Sequence, residues 1–196
     1  MQYPLTLRFK IVSIAPQIFV DDANGQPICY VRQKILKLRE QVEVFTDKSR
    51  SQKLAHIQAN KILDWSARYN FTDAQGAEIG SVGRKGMRSI WRAHYEVFNP
   101  GDNTPDFSIH EENPWAKVLD STLGGIPVLG AFTGYFVHPR YLASRSDGTP
   151  AIRLTKEPAF WEGKFRVEKL AELSPREEMN LILSFLMLNL LERRRG

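Results

Sequence analysis

The most constraining feature of this chain is a segment, residues 174–196, with the pattern of one helix that is apolar around nearly its whole circumference. Ser174 and Glu177 have the S-x-x-E spacing of a capping box, and Pro175 suits the first helical position. The arginines at 193–195 suit the negative end of the helix dipole. Both ends of the helix are therefore marked in the sequence.

Residues 179–191 are the apolar part of this helix, and their polar side chains are Asn180, Ser184 and Asn189. A helix without a polar face has to be buried, either inside a protein or in a bilayer. A spanning helix needs about 20 apolar residues, and this run is shorter. We therefore expect a helix buried in a protein core, and a membrane tail anchor is the alternative.

The body of the chain contains a repeated hairpin pattern. Residues 18–34 align without gaps on residues 69–85. A looser copy lies between them at 44–57, and another comes later at 141–154. The matched turn positions are Asp22 with Asp73 and Gly25 with Gly76. Alternating apolar residues bury one face of each strand, the aspartate can bond its own turn backbone, and glycine accepts a positive φ.

Further alternating segments lie at residues 5–11, 92–98, 106–111 and 164–170. Together they predict about a dozen short strands, and the short turns favour antiparallel neighbours. A closed sheet of that size leaves a lumen too wide for its own side chains to fill. The sequence therefore predicts a mainly β fold, a closed antiparallel barrel of about 12 strands around a central hydrophobic C-terminal α-helix.

Size and composition favour one domain covering residues 1–196, because 196 residues with 42% hydrophobic content suffice for one large core. Within it we expect a buried helix at 174–194 and an apolar, glycine-rich insertion at 121–140. The single cysteine, Cys29, excludes an internal disulfide, and the first residues lack a signal-peptide core. A cytoplasmic protein is expected, and the net charge of +5 permits contact with an anionic membrane surface.

The hairpin pattern, the dozen strands and the terminal apolar helix resemble the tubby C-terminal-like superfamily, in its branch of LURP-one-related proteins and phospholipid scramblases. This resemblance implies a barrel threaded by the last helix. The activities it implies are non-enzymatic: phosphoinositide-dependent membrane attachment in tubby proteins, lipid scrambling in scramblases and a defence role in plant members.

The sequence departs from the scramblases in two respects. Residues 158–170 alternate acidic with basic side chains and lack the carboxylate-rich loop of a calcium site. The chain also lacks a proline-rich leader and a cysteine cluster. Scrambling is therefore not expected. A bound metal is not expected either, since the four histidines lie far apart without metal-ligand spacing. No cofactor and no enzymatic activity are expected.

Two segments are candidates for lipid contact. The first is a basic cluster after the second hairpin, with headgroup candidates Arg84, Lys85, Arg88 and Arg92. The second is the apolar stretch 123–137, with candidates Phe132, Tyr135 and Phe136, which has the composition of an interfacial loop. The alternatives are solvated surface charge for the first and a buried linker over the barrel end for the second.

These features predict a monomeric lipid- or membrane-associated binding module, peripheral at the membrane, with an anionic phospholipid as its partner. The alternative is a soluble scaffold domain that binds a protein and no lipid. Nucleic acid is not expected as a partner, since the basic residues are scattered along the chain. Nucleotide binding is not expected either, since no phosphate-cradling glycine loop opens a helix.

Overall fold

The structure is a computed structural model, and it describes residues 1–10, 17–32, 41–60, 68–84, 94–112, 139–159 and 162–192. These residues form twelve strands and one C-terminal helix, α1 (Pro175–Glu192). The strands are β1 (Leu5–Lys10), β2 (Gln17–Asp21), β3 (Pro27–Arg32), β4 (Gln41–Phe45), β5 (Lys53–Ala59), β6 (Arg68–Asp73), β7 (Glu78–Arg84), β8 (His94–Phe98), β9 (Phe107–Glu112), β10 (Arg140–Arg145), β11 (Pro150–Glu157) and β12 (Glu162–Lys169).

The strands form one closed antiparallel barrel. Each strand pairs with the next along the chain, and β1 pairs with β12 to close the sheet, with Leu5 opposite Val167 and Lys10 opposite Glu162. The predicted fold class is therefore confirmed.

The helix α1 occupies the interior of this barrel. Every residue from Asn180 to Leu190 is buried, on all sides of the helix. Leu181, Phe185 and Leu188 belong to one apolar cluster that includes inward-facing side chains from all twelve strands. The terminal helix thus fills the lumen, as predicted, and α1 is not long and apolar enough to cross a bilayer.

Connections between consecutive strands alternate between the two ends of the barrel. We call the end where α1 begins the cap end; its connections are residues 22–26, 46–52, 74–77, 99–106, 146–149 and 170–174. We call the opposite end the far end; the strands that meet there are connected by residues 11–16, 33–40, 60–67, 85–93, 113–139 and 158–161. The 18 residues of α1 rise about 27 Å, so the helix ends toward the far end; residues 193–196 follow it in the sequence.

The repeated hairpin is a repeated turn at the cap end. In the first copy the Asp22 carboxylate accepts hydrogen bonds from the backbone N–H of Asn24 at 2.9 Å and of Gln26 at 3.0 Å. In the second copy Asp73 accepts them from Gln75 at 2.9 Å and Ala77 at 2.8 Å. The matched glycines have φ of 75° and 86°, which glycine adopts without steric cost.

The capping box predicted for α1 is present. The Glu177 carboxylate accepts a hydrogen bond from the Ser174 N–H at 2.8 Å, and Ser174 Oγ accepts one from the Glu177 N–H at 3.3 Å. Two ion pairs then tie the first turn to the barrel wall: Glu177 with Arg145 at 2.7 Å, and Glu178 with Lys169 at 2.8 Å. The cap end therefore fixes where the helix enters.

The buried polar residues of α1 make hydrogen bonds inside the barrel. Asn180 Nδ2 donates to the Phe98 carbonyl of β8 at 3.0 Å, while Ser184 donates to the Asn180 carbonyl within the helix. Asn180 also lies against Gly80 of β7, where an added Cβ would stand 2.2 Å from Asn180 Nδ2. The helix can approach β7 this closely because position 80 has no side chain.

Candidate functional site

Arg84, the first residue of the predicted basic cluster, is the last residue of β7 and lies at the far end. Arg84 pairs with the buried Tyr95 of β8. Because side chains alternate along a strand, Arg84 lies on the same inward face of β7 as Val82. Arg84 is half-buried and therefore lies at the mouth of the barrel. Lys85, Arg88 and Arg92 lie outside the described residues.

The apolar candidates Phe132, Tyr135 and Phe136 also lie outside the described residues. The strands on either side of their segment are β9 and β10, which meet at the far end, where Glu112 pairs with Arg140. The basic cluster joins β7 to β8 at this same end. The described strands on either side of both predicted segments therefore end at the same side of the barrel, which the separation of the segments in sequence does not reveal.

The two ends differ in charge. The far-end segments, with residues 193–196, contain three acidic and eleven basic residues, the latter being Lys34, Lys37, Arg39, Lys61, Lys85, Arg88, Arg92, Lys117, Arg193, Arg194 and Arg195. The cap-end connections contain the basic Lys48 and Arg50 and six acidic residues: Asp22, Asp47, Asp102, Asp106, Asp147 and Glu172. In sequence, the far-end segments are thus net basic and the cap-end connections net acidic.

The tryptophans follow the same division. The chain has four, Trp65, Trp91, Trp115 and Trp161, and every one falls in a far-end connection. The cap-end connections contain no aromatic residue. Tryptophan accumulates at membrane–water interfaces because its ring is amphipathic. The sequence of the far-end connections therefore combines basic residues with a residue type that is typical of interfaces.

The described rim of the far end carries further cations. Lys10, Arg32 and Arg140 are exposed residues at the far-end termini of β1, β3 and β10. Acidic residues at the strand termini of this rim include Glu111, Glu112 and Glu157, and Glu162 begins β12 at the same end. Glu112 pairs with Arg153 at 3.1 Å and Glu157 pairs with Lys164 at 3.0 Å, so these two negative charges are compensated.

Away from the far end, a groove of about 540 Å³ lies on the outer face of β8, β9 and β10. Small side chains form its floor, where Ser108 and Ser144 are cross-strand partners. His94 and His110, which also line it, are directly opposite each other on β8 and β9. By their separation in sequence these histidines are expected to lie far apart. The signal available in the sequence was that His94 and His110 lie in two consecutive predicted strands, which are expected to pair.

Reactive side chains are otherwise scarce in the described part of the chain. Burial raises the pKa of the Cys29 thiol to about 12, and the carboxylate of Asp21 adds to the rise. The thiol is therefore protonated at neutral pH and is a poor nucleophile. Among the described residues, no three His, Cys, Asp or Glu side chains are arranged around a possible metal ion.

Comparison with known proteins identifies the family. No curated protein matches the chain. A solved X-ray structure of a protein from Arabidopsis thaliana is similar to it, with a TM-score of 0.49 and 11% identity, over 95% of this chain and 89% of that one. A family model described as LURP-one-related matches residues 27–126, just over half of the sequence. The chain belongs to the LURP-one-related family.

Proposed function

We propose that this protein is a non-enzymatic binding module that attaches peripherally to an anionic membrane surface through its far end. The observation that carries the proposal is the concentration of eight basic residues and all four tryptophans in the segments that join strands at that end, with three more arginines directly after α1 in the sequence. Of the predicted headgroup contacts, Arg84 lies at this end; Lys85, Arg88 and Arg92, and the apolar candidates Phe132, Tyr135 and Phe136, belong in sequence to two of these segments.

The energetics support such attachment. A Lys or Arg near an anionic cytoplasmic leaflet contributes about 1 kcal/mol, so several cations acting together give substantial binding without a spanning segment. Tryptophan rings add affinity at headgroup level. The acidic cap end is repelled by the same surface, and the barrel therefore docks with its far end toward the lipid.

The direct test is co-sedimentation of the purified chain with vesicles of phosphatidylserine and phosphatidylcholine, compared with phosphatidylcholine alone. We expect binding to the anionic vesicles only. The triple variant Arg84→Glu, Lys85→Glu, Arg88→Glu should lose it, because it replaces three far-end cations by anions.

A matched control makes the same charge change at the cap end: Lys48→Glu, Arg50→Glu, Arg176→Glu, at three exposed positions. Both triple variants lower the net charge of +5 by six. Retained binding in the control and loss in the far-end variant support the proposal. Equal loss in both, or no binding of the natural chain to either vesicle, contradicts it and favours the alternative of a soluble scaffold that binds a protein.

Intrinsic fluorescence gives a second, independent measurement. Because all four tryptophans lie in far-end segments, a quencher attached to the lipid headgroup region should reduce most of the emission on binding. Emission that stays unquenched while the protein sediments with vesicles would mean that another face makes the contact.

A further inference from the structure

We propose that the groove on the outer face of β8, β9 and β10 binds one divalent transition-metal ion, Cu²⁺ or Zn²⁺, between the imidazoles of His94 and His110. The two residues are direct cross-strand partners. Their neighbours Tyr95 and Ile109 are buried in the barrel interior, so strand alternation places both imidazoles on the outer face, where they line the groove.

The geometry suits two ligands of one ion. Side chains directly opposite each other in an antiparallel pair have Cβ atoms about 4.5 to 5.5 Å apart. An imidazole nitrogen binds Zn²⁺ at about 2.0 to 2.1 Å. Rotation about χ1 and χ2 can bring the two rings to one ion while the backbone stays in place, with the metal replacing the interaction that His94 makes in its absence. Each ring coordinates through one nitrogen and keeps the other for a hydrogen bond.

Charged side chains of both signs line the groove, and the one cation among its described lining residues, Arg145, is already paired with Glu177 at 2.7 Å. Glu96 also lines the groove and lies two residues beyond His94 on the same face, diagonal to His110. Glu96 also interacts with the charge of Arg68: burial lowers the pKa of Arg68, and the negative charge of Glu96 offsets part of this effect. This carboxylate therefore adds negative potential near the imidazole pair.

The floor of the groove can hold the remaining ligands as water. Ser108 and Ser144 are cross-strand partners in the groove, and their hydroxyls can donate to or accept from metal-bound waters. Since the described residues do not assemble three protein ligands around one point, the site has two protein ligands and open positions. Imidazole donors and the usual stability order predict tighter binding of Cu²⁺ than of Zn²⁺.

The test is a titration of the full, untagged chain with Cu²⁺, followed by calorimetry and by electron paramagnetic resonance. We expect one ion per chain, with coupling to two imidazole nitrogens. His110→Gln and, separately, His94→Gln should each weaken binding at least tenfold, because a single imidazole cannot chelate. Two independent variants keep the test informative if one of them misfolds.

The matched control is His56→Gln. His56 lies on β5, and its cross-strand partners are Glu43 and Thr72, so it has no imidazole opposite it. Binding should be unchanged in this variant, and Cu²⁺ should raise the unfolding temperature of this control and of the natural chain, but not of the two groove variants. Unchanged binding in His94→Gln and His110→Gln, or an equal loss in the control, overturns the proposal. The test uses no lipid, so its outcome is independent of membrane attachment.

Discussion

The connections at the two ends of this barrel differ in their residues and in the role that those residues have. At the cap end, short connections turn the chain with aspartate and glycine, and the carboxylates of Asp22 and Asp73 accept hydrogen bonds from their own turn backbone. At the far end, the connections are rich in lysine, arginine and tryptophan. The difference teaches that residues which fix the fold and residues proposed to bind a membrane lie in separate segments.

This separation has a measurable consequence. Substitutions at the cap end or in the interior should change the free energy of unfolding and leave vesicle binding of the folded protein intact. Substitutions in the far-end segments should do the reverse. A variant that breaks this division would show that the two ends are coupled.

The largest expected effect comes from ending the chain before Ser174. This truncation removes α1 and with it the apolar filling of the lumen, where each large buried side chain contributes roughly 1.5 to 3 kcal/mol. We expect an insoluble or unfolded product that binds no vesicles, checked by circular dichroism and sedimentation. A soluble product that unfolds cooperatively would contradict the role of α1 as the core.

The next largest effect is expected from Gly80→Ala. The added Cβ would stand 2.2 Å from Asn180 Nδ2, so α1 has to shift or Asn180 has to lose its bond to Phe98. Overpacking costs about 1 to 3 kcal/mol and the lost hydrogen bond about 1 kcal/mol. We therefore expect the free energy of unfolding, measured by chemical denaturation, to fall by about 2 to 4 kcal/mol.

Gly83→Ala is the control for adding a Cβ to the same strand, although Gly80 also has a positive φ of 156° that Gly83 lacks. At that position an added Cβ would meet Arg68 at 3.8 Å and Phe98 at 3.9 Å, which are ordinary van der Waals distances. We expect a stability within about 0.5 kcal/mol of the natural chain. Equal losses at positions 80 and 83 would show that glycine is needed for the strand itself and not for the approach of α1.

A smaller and pH-dependent effect is expected from Glu177→Gln at the cap end. Burial alone would raise the pKa of Glu177, but the hydrogen bonds from Arg145 and Ser174 outweigh it and lower the pKa below its ordinary 4.5. The charged side chain therefore stabilises the fold fully above pH 4.5, and this contribution is lost as the pH falls through the lower folded value.

Glu177→Gln should consequently cost about 1 kcal/mol at pH 7, within the usual range for a cap, and much less in strong acid. The measurement is the difference in unfolding free energy between variant and natural chain at the two pH values. A difference that stays constant with pH would mean that the charge of Glu177 is not what holds the first turn.

The smallest expected effect is a gain in stability from Arg50→Gly. Arg50 occupies the turn position that glycine holds in the two clear copies of the hairpin, and it has a positive φ of 58°. This conformation costs about 1 to 2 kcal/mol for a residue with a Cβ, and the greater freedom of glycine in the unfolded chain removes part of the gain. We expect a net gain of about 0.5 kcal/mol with vesicle binding unchanged. The reverse change, Gly76→Ala, should destabilise.

Much of this fold was predictable because its determinants are local. The capping box and the apolar run predicted a buried helix at 174–194, and α1 spans Pro175–Glu192. Alternation and the aspartate–glycine turns predicted the strands. The contact between Gly80 and Asn180, in contrast, depends on how the helix is seated against β7, and no local pattern encodes it.

The candidate sites were less predictable for the same reason. Arg84 and Tyr135 are recognisable by type, but that their segments share one barrel end follows only from the strand order. His94 and His110 are opposite each other because of the β8–β9 register, which sequence spacing alone does not fix. The predicted lipid contacts of the far end, and one domain covering residues 1–196, stay predictions.

The position of α1 along the chain also governs when the protein can fold. A ribosome synthesises all twelve strands before this helix, and β12, which must pair with β1, comes just ahead of it. Until then the inward faces of the strands have no filling and the first strand lacks one partner. Folding is therefore expected to be completed only after translation of α1, and the nascent chain needs protection from aggregation until that point.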